Sequence, residues 1–303
     1  MLFARLAVTV GAFWYIFSKV EIAKLLTAFS RISISAIIWS FTLFYLGMAL
    51  GAWRWRSLLI AYGAARPPSV TRLFYLHNVG LFYNNFLPGA VVGDAVRGVA
   101  TREAFDKEGV TGSLAVVLVE RIVGVTGLLT LSGVAFALRP LPGVESIAPW
   151  IGAGLLVAAA AVVFIALSRR YYHFLPKPLG KIAASLPEIR LVSPFVLAIG
   201  LSVLVQTCSA LCGHVLISSI ASGVKLSDSV VVVPLAVGAG FFPLTIAGAG
   251  VREAAFVTLY AIVGVAKANA LAGSLAFLFC QLAVACGGGL LSLFIPLGVK
   301  QPS

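Results

Sequence analysis

Runs of about twenty apolar residues fill most of the chain, and that is the length a helix needs to cross the hydrocarbon core of a bilayer. Such runs occupy residues 2–20, 34–53, 114–138, 147–167, 193–220 and 268–295. Two further apolar stretches, 73–100 and 229–265, are interrupted by Pro and Gly. Backbone polar groups in hydrocarbon must be satisfied within the protein, and helices do this segment by segment. The predicted fold is therefore an all-α integral membrane protein, a polytopic helical bundle forming one membrane domain over residues 1–303. Composition agrees: 60% of residues are hydrophobic and 11% charged, where soluble domains carry about 25% charged residues. Large soluble catalytic domains, disordered tails and disulfide scaffolds are excluded. Arg5 precedes the first run, but no small-x-small cleavage pattern follows it, so the run reads as a retained span rather than a signal peptide.

The 22 Lys+Arg against 10 Asp+Glu give a net charge of +12. In a membrane protein this excess reads as topology, because basic residues collect in cytoplasmic loops. Arg54, Arg56, Arg66 and Arg72 predict one cytoplasmic loop, and Arg169, Arg170, Lys177, Lys181 and Arg190 a second. The charge-balanced loops at 139–146 and around Lys225 and Asp228 are then outside. Lys19, Lys24 and Arg31 run against this scheme, which puts their loop outside as well. Nucleic acid is not an expected partner. Cys208, Cys212, Cys280 and Cys286 all lie in apolar runs and read as small buried hydrophobes. No metal or cofactor is expected.

The two interrupted stretches share an ordered pattern. NNFLPGAVVGDAVRG carries Pro88, Gly93, Val96 and Arg97, and FFPLTIAGAGVREAA carries Pro243, Gly248, Val251 and Arg252. Both read P-x4-G-x2-V-R, offset by 243 − 88 = 155 residues. The same offset carries span 34–53 onto the start of 193–220, and 114–138 onto 268–295. This predicts repeat 1 over 34–138, a connecting span at 147–167 and repeat 2 over 193–295, with the repeats inverted. Pro and Gly free backbone groups at membrane depth, where only protein or a water-filled cavity can satisfy them. Each broken segment is therefore expected to be a re-entrant hairpin, shaped by Pro88, Gly89 and Gly93 in one and by Pro243, Gly248 and Gly250 in the other. Paired breaks of this kind point to a transporter site. The plainer reading is a pair of kinked spans.

Arg97 and Arg252 follow the two breaks. An arginine at membrane depth costs about 2.5–3.5 kcal/mol on insertion scales and is a functional candidate by default. Its planar fork suits a phosphate diester. Asp94 is three residues from Arg97, close enough to pair on one helical face or to cap a helix. Its repeat counterpart is Ala249, so the carboxylate is not duplicated. Glu253 adjoins Arg252. Glu120 and Arg121 interrupt an apolar span and, pointing about 100° apart, each call for a partner elsewhere in the bundle. Glu120 is a candidate proton-coupling carboxylate, or else a brace for the first hairpin. Asn84 and Asn85 precede the first break, where their amides could satisfy freed backbone groups or bind a headgroup. Gly287, Gly288 and Gly289 read as a close-packing surface. No phosphate-binding loop, zinc-protease motif or nucleophile elbow occurs, so no catalytic residue is assigned.

NNFLPGAVVGDAVRGVA, VVLVERIVGVTGLL and PLTIAGAGVREAAFV together resemble the lysylphosphatidylglycerol synthase transmembrane-region family over about residues 1–295. Its members are described as flippase-like. The resemblance implies lipid translocation in the plasma membrane of a prokaryote and places Arg97, Arg252 and Glu253 at the site. In the best-known relatives this region is fused to a cytosolic aminoacyl-transferase domain. None follows residue 295 here, so a separate lipid-modifying enzyme is the expected partner. The first motif departs from the family pattern in carrying Ala90, Val91 and Val92 before Gly93. The expected function is movement of a phospholipid, glycolipid or related polar lipid between leaflets. The arginines would engage the headgroup phosphate, and Asp94, Glu120, Arg121, Glu253, Asn84 and Asn85 would line or brace the site. The alternatives are a small-solute or ion secondary transporter, and a non-transporting partner of a lipid-modifying or glycosyltransferase enzyme.

Overall fold

A computed structural model describes residues 11, 14, 18, 20–87, 91–106, 109–138, 148–174, 188–240 and 250–297. Among them there are ten α-helices and no strand: α1 (Ile22–Ser30), α2 (Ile34–Ala61), α3 (Val70–Phe86), α4 (Val92–Ala100), α5 (Gly109–Leu138), α6 (Ala148–Tyr171), α7 (Val192–Ile220), α8 (Leu226–Ala239), α9 (Val251–Ile262) and α10 (Lys267–Phe294). Five of these, α2, α5, α6, α7 and α10, are long and apolar enough to cross a membrane. The chain is a multi-pass membrane protein. The span expected at 2–20 falls largely outside the described residues, as does most of the basic loop at 169–190.

Local signals set the helix starts. Ser33 accepts a hydrogen bond from Ala36 N at 3.1 Å and caps α2. Ser69 does the same for α3 from Arg72 N at 3.2 Å, just after Pro67 and Pro68 have barred an earlier helix. Two boundaries differ from expectation. Residues 22–30 form a helix rather than a loop, with Leu25 and Ala28 buried against α10. Helix α2 continues past residue 53 to Ala61, because Leu58, Leu59, Ile60 and Ala61 resume the apolar pattern after Arg54, Arg56 and Ser57, and no Pro or Gly stops the helix between Ala52 and Gly63.

Each Pro/Gly-interrupted stretch is two helices with the break between them, α3 with α4 and α8 with α9. Both pairs double back. Asn84 meets Gly93 beside the first break, and Gly80 meets Arg97 a turn farther along. In the second pair, Tyr260 near the end of α9 donates to Ser229 near the start of α8 at 2.9 Å. Pro88, Gly89, Pro243 and Gly248 themselves lie outside the described residues.

Among the described helices, α2 and α7 share the most extensive contact. Around this axis the packing pairs occur in matched sets: α2 on α3 and α7 on α8, α4 on α5 and α9 on α10, α3 on α10 and α8 on α5. One buried core gathers Trp55, Leu58, Leu73, Leu76, Val116 and Val123. A second gathers Leu216, Ile217, Val232, Phe256, Tyr260 and Phe277. Helix α6 packs on α5 and leaves Trp150, Leu156 and Val157 exposed, which suits a span facing lipid.

Candidate functional site

Helix α4 presents Asp94 and Arg97 on one face, as their three-residue spacing requires. A very close approach holds it against α3: a Cβ on Gly93 would stand 1.9 Å from the carbonyl oxygen of Gly80, so only glycine fits. At the same place Gly93 N donates to Asn84 Oδ1 at 2.8 Å, and Asn84 Nδ2 donates to Asp94 Oδ1 at 3.4 Å. Asn84 thereby satisfies a backbone donor at the start of α4. Asn85 turns the other way, donating to Leu81 O at 2.8 Å and accepting from Gln281 of α10 at 3.2 Å.

Glu120 of α5 is only 2% exposed and is the hub of this first constellation. Its Oε1 accepts from Arg54 Nη2 at 2.9 Å and its Oε2 from Arg97 Nη2. Arg97 also faces Asp94 at 3.5 Å and lies over the Trp55 ring, 4.1 Å from its centroid. Arg121, the more exposed neighbour of Glu120, pairs with Asp94. Arg54 donates to Ser202 Oγ of α7 at 3.3 Å. Four helices, α2, α4, α5 and α7, are thus joined by one buried charge network. A buried ion must be paired, and each guanidinium here finds a counter-charge on a helix other than its own.

The second constellation is smaller. Arg252 and Glu253 are both buried in the first turn of α9. Arg252 donates to Glu253 Oε1 from Nε at 3.0 Å and from Nη2 at 2.8 Å, and to Gln281 Oε1 from Nη1 at 2.7 Å. Glu253 Oε2 accepts from Gly250 N at 2.6 Å, closing the helix start. Gly250 sits at φ +90°, a conformation that glycine adopts without penalty.

A cavity of about 190 Å³ opens between α2 and α7. Arg54, His77, Gln206 and Gln281 supply its polar lining, with Leu43, Phe44, Met48 and Val205 among the apolar groups. Arg97 and Arg252 stand behind this lining, joined to it through Glu120–Arg54 and through Gln281. Cys208 and Cys212 border the cavity as free thiols. Among the described residues no cluster of three or more His, Cys, Asp or Glu side chains could hold a metal ion. Gly288 and Gly289 bring α10 against Asn78 and Phe82 of α3.

The structure therefore brings Asp94, Arg97, Glu120, Arg121 and Asn84 together, and sets Arg252 and Glu253 apart with Asn85 linked to them through Gln281. Sequence reasoning missed Arg54, Gln281 and Trp55. Arg54 was counted as a loop charge, yet it is buried inside α2. The return to apolar residues at Leu58–Ala61 after it was the available signal. Gln281 was legible as the one amide inside the apolar run 275–291.

The description of the lysylphosphatidylglycerol synthase TM region matches residues 2–288, and the chain belongs to that family. The family is one of membrane regions tied to lipid metabolism or flipping. No curated protein matches the chain.

Proposed function

We propose that this member of the lysylphosphatidylglycerol synthase transmembrane-region family is a lipid translocase that moves a polar lipid with an anionic phosphate between leaflets. The observation that carries the reading is the pair of buried arginines, Arg97 and Arg252, each a few residues after a break at which the chain doubles back. Both are held by carboxylates, and a carboxylate is a partner that a phosphate oxygen can replace without leaving a guanidinium unpaired. The α3–α4 and α8–α9 pairs are read as re-entrant hairpins of two inverted repeats, 34–138 and 193–295, joined by the connecting span α6. Matched helix packing about the α2–α7 axis supports that reading. Transport alternates as one hairpin and then the other admits the headgroup. The chain works in the plasma membrane of a prokaryote, beside a separate enzyme that makes its lipid, and it performs no chemistry of its own.

The test is transport in vesicles. Purified protein is reconstituted with fluorescent phosphatidylglycerol, and a membrane-impermeant quencher reports arrival in the outer leaflet. The wild-type chain is expected to accelerate that arrival over protein-free vesicles. Arg97→Gln and Arg252→Gln are each expected to slow it by about tenfold or more, the effect of losing one charge-assisted contact of roughly 1.5–3 kcal/mol. No acceleration by the wild type, or wild-type rates in both variants, would overturn the proposal. Single cysteines at Gly89 and Thr245, in a background lacking the native four, test the inverted arrangement: labelling from opposite sides supports it, and labelling from the same side removes it.

A further inference from the structure

Two side chains that line the cavity between α2 and α7 each carry a buried polar atom with no hydrogen-bond partner. Arg54 Nε and His77 Nδ1 are both buried without a hydrogen-bond partner, and both side chains line the cavity. Buried polar groups are nearly always paired, so two orphans on residues that line one cavity call for an explanation. Arg54 spends its two terminal nitrogens on Glu120 and Ser202 and keeps the third unused. His77 lies directly against Gly51, with its Cε1 3.2 Å from where a Cβ there would stand.

We infer that this cavity is an oxyanion-binding site, in which Arg54 and His77 hold a phosphate monoester or diester. Gln206 and Gln281 flank the ligand. The site is distinct from the two motif arginines: neither Arg97 nor Arg252 is among the cavity's lining residues. Its chemistry is two-sided. Polar groups from α2, α3, α7 and α10 face apolar ones such as Leu43, Phe44 and Val205, which suits an anion carried on an amphiphile. Its size narrows the ligand further. About 190 Å³ is below the roughly 300–1,000 Å³ of pockets that enclose drug-sized molecules, so the cavity accepts a headgroup and leaves acyl chains outside. The inference deepens the translocase reading and rests on it only in taking a membrane lipid as the source of the phosphate.

Calorimetric titration of the purified full chain tests this with two probes, dihexanoylphosphatidylglycerol and inorganic phosphate. Two variants are used. Arg54→Lys keeps a cation opposite Glu120 but loses the Nε donor. Ser209→Phe fills the cavity from its α7 wall and leaves the charge network untouched. Both are expected to weaken binding about tenfold or more, the equivalent of about 1.4 kcal/mol. Lipid binding that depends on Arg54 supports the site with a lipid as its source. Phosphate binding with the same dependence, without lipid binding, supports the site with a free anion as its source. Binding of neither probe, or binding unchanged in both variants, overturns it. Vesicle transport separates the two proposals: transport without probe binding removes the site and keeps translocation, and probe binding without wild-type transport does the reverse.

Discussion

Arg97 and Arg252 occupy the same position after their breaks, but they obtain their counter-charges differently. Arg97 is neutralised mainly from outside its own helix, by Glu120 of α5, which Arg54 of α2 shares. Arg252 is neutralised by the next residue, Glu253, which also caps the helix they both start. The first arginine is therefore wired into the bundle. The second travels with its own counterion and touches the rest of the protein's polar network through one neutral amide, Gln281. Separating α4 from α5 would break a buried ion pair between helices. Shifting the α8–α9 unit would cost Arg252 only its one hydrogen bond to the Gln281 amide. The difference predicts that the α8–α9 unit is the readier of the two to move.

The sharpest way to break this comparison is to delete each counterion. Glu120→Ala leaves two buried guanidiniums without their shared partner, and removing one member of a buried pair costs about 3–5 kcal/mol. Glu253→Gln removes the charge but leaves one amide oxygen to accept from either Arg252 or Gly250 N, so a loss of roughly 1.5–3 kcal/mol is expected. Denaturation of the purified variants in detergent measures both. Equal losses would show that the two sites are wired alike. A double-mutant cycle between Arg97 and Glu120 should return a coupling of about 0.5–3 kcal/mol, while a cycle between Arg97 and Glu253 should return almost none.

The glycines at the two helix starts sharpen the same contrast. Gly93→Ala drives a methyl into the Gly80 carbonyl. The cost is overpacking, about 1–3 kcal/mol, and it falls on the contact between α3 and α4. Gly250→Ala meets a backbone penalty instead, since φ is +90° there, at about 1–3 kcal/mol. The two separate by where the damage appears: Gly93→Ala should quicken hydrogen exchange where α3 meets α4, and Gly250→Ala at the start of α9. Gly250→Asn should not recover the Gly250→Ala loss, because ψ is −50° there, outside the left-handed region that Asn tolerates. Recovery by Asn would show that the requirement at Gly250 is only for a positive φ.

Much of this architecture is readable from residues. The five spanning helices follow from uninterrupted apolar runs, and the two doubled-back pairs from Pro and Gly inside otherwise apolar stretches. The 155-residue offset located both arginines. The partners of those arginines were harder to read, because a partner is a tertiary fact. Glu120 announced that it needed a cation, but nothing local says that Arg54, 66 positions earlier, would supply one. Arg54 stands beside Arg56 at what looks like a helix end, and a basic pair there has an ordinary explanation in topology. The α1 helix was hidden for the converse reason: Lys24 and Arg31 made residues 22–30 look like a loop, while Leu25 and Ala28 alone are too few to show a helical period.

Gln281 offers the gentlest test. It accepts from Arg252 at 2.7 Å and donates to Asn85 at 3.2 Å, so it is the polar tie between α9 and the end of α3. Gln281→Leu keeps the volume roughly constant and removes both bonds. Because Gln281 also lines the cavity, water can reach the freed Arg252 Nη1, and the loss of stability should be only about 1 kcal/mol. The change in motion should be easier to detect. With the tie cut, hydrogen exchange in α9 is expected to quicken while exchange in α4 stays as it was, since α4 remains anchored through Arg97 and Glu120. Faster exchange in both helices would mean that the two units are coupled by packing rather than by this amide. The asymmetry between the two arginines would then be one of chemistry alone, not of mobility.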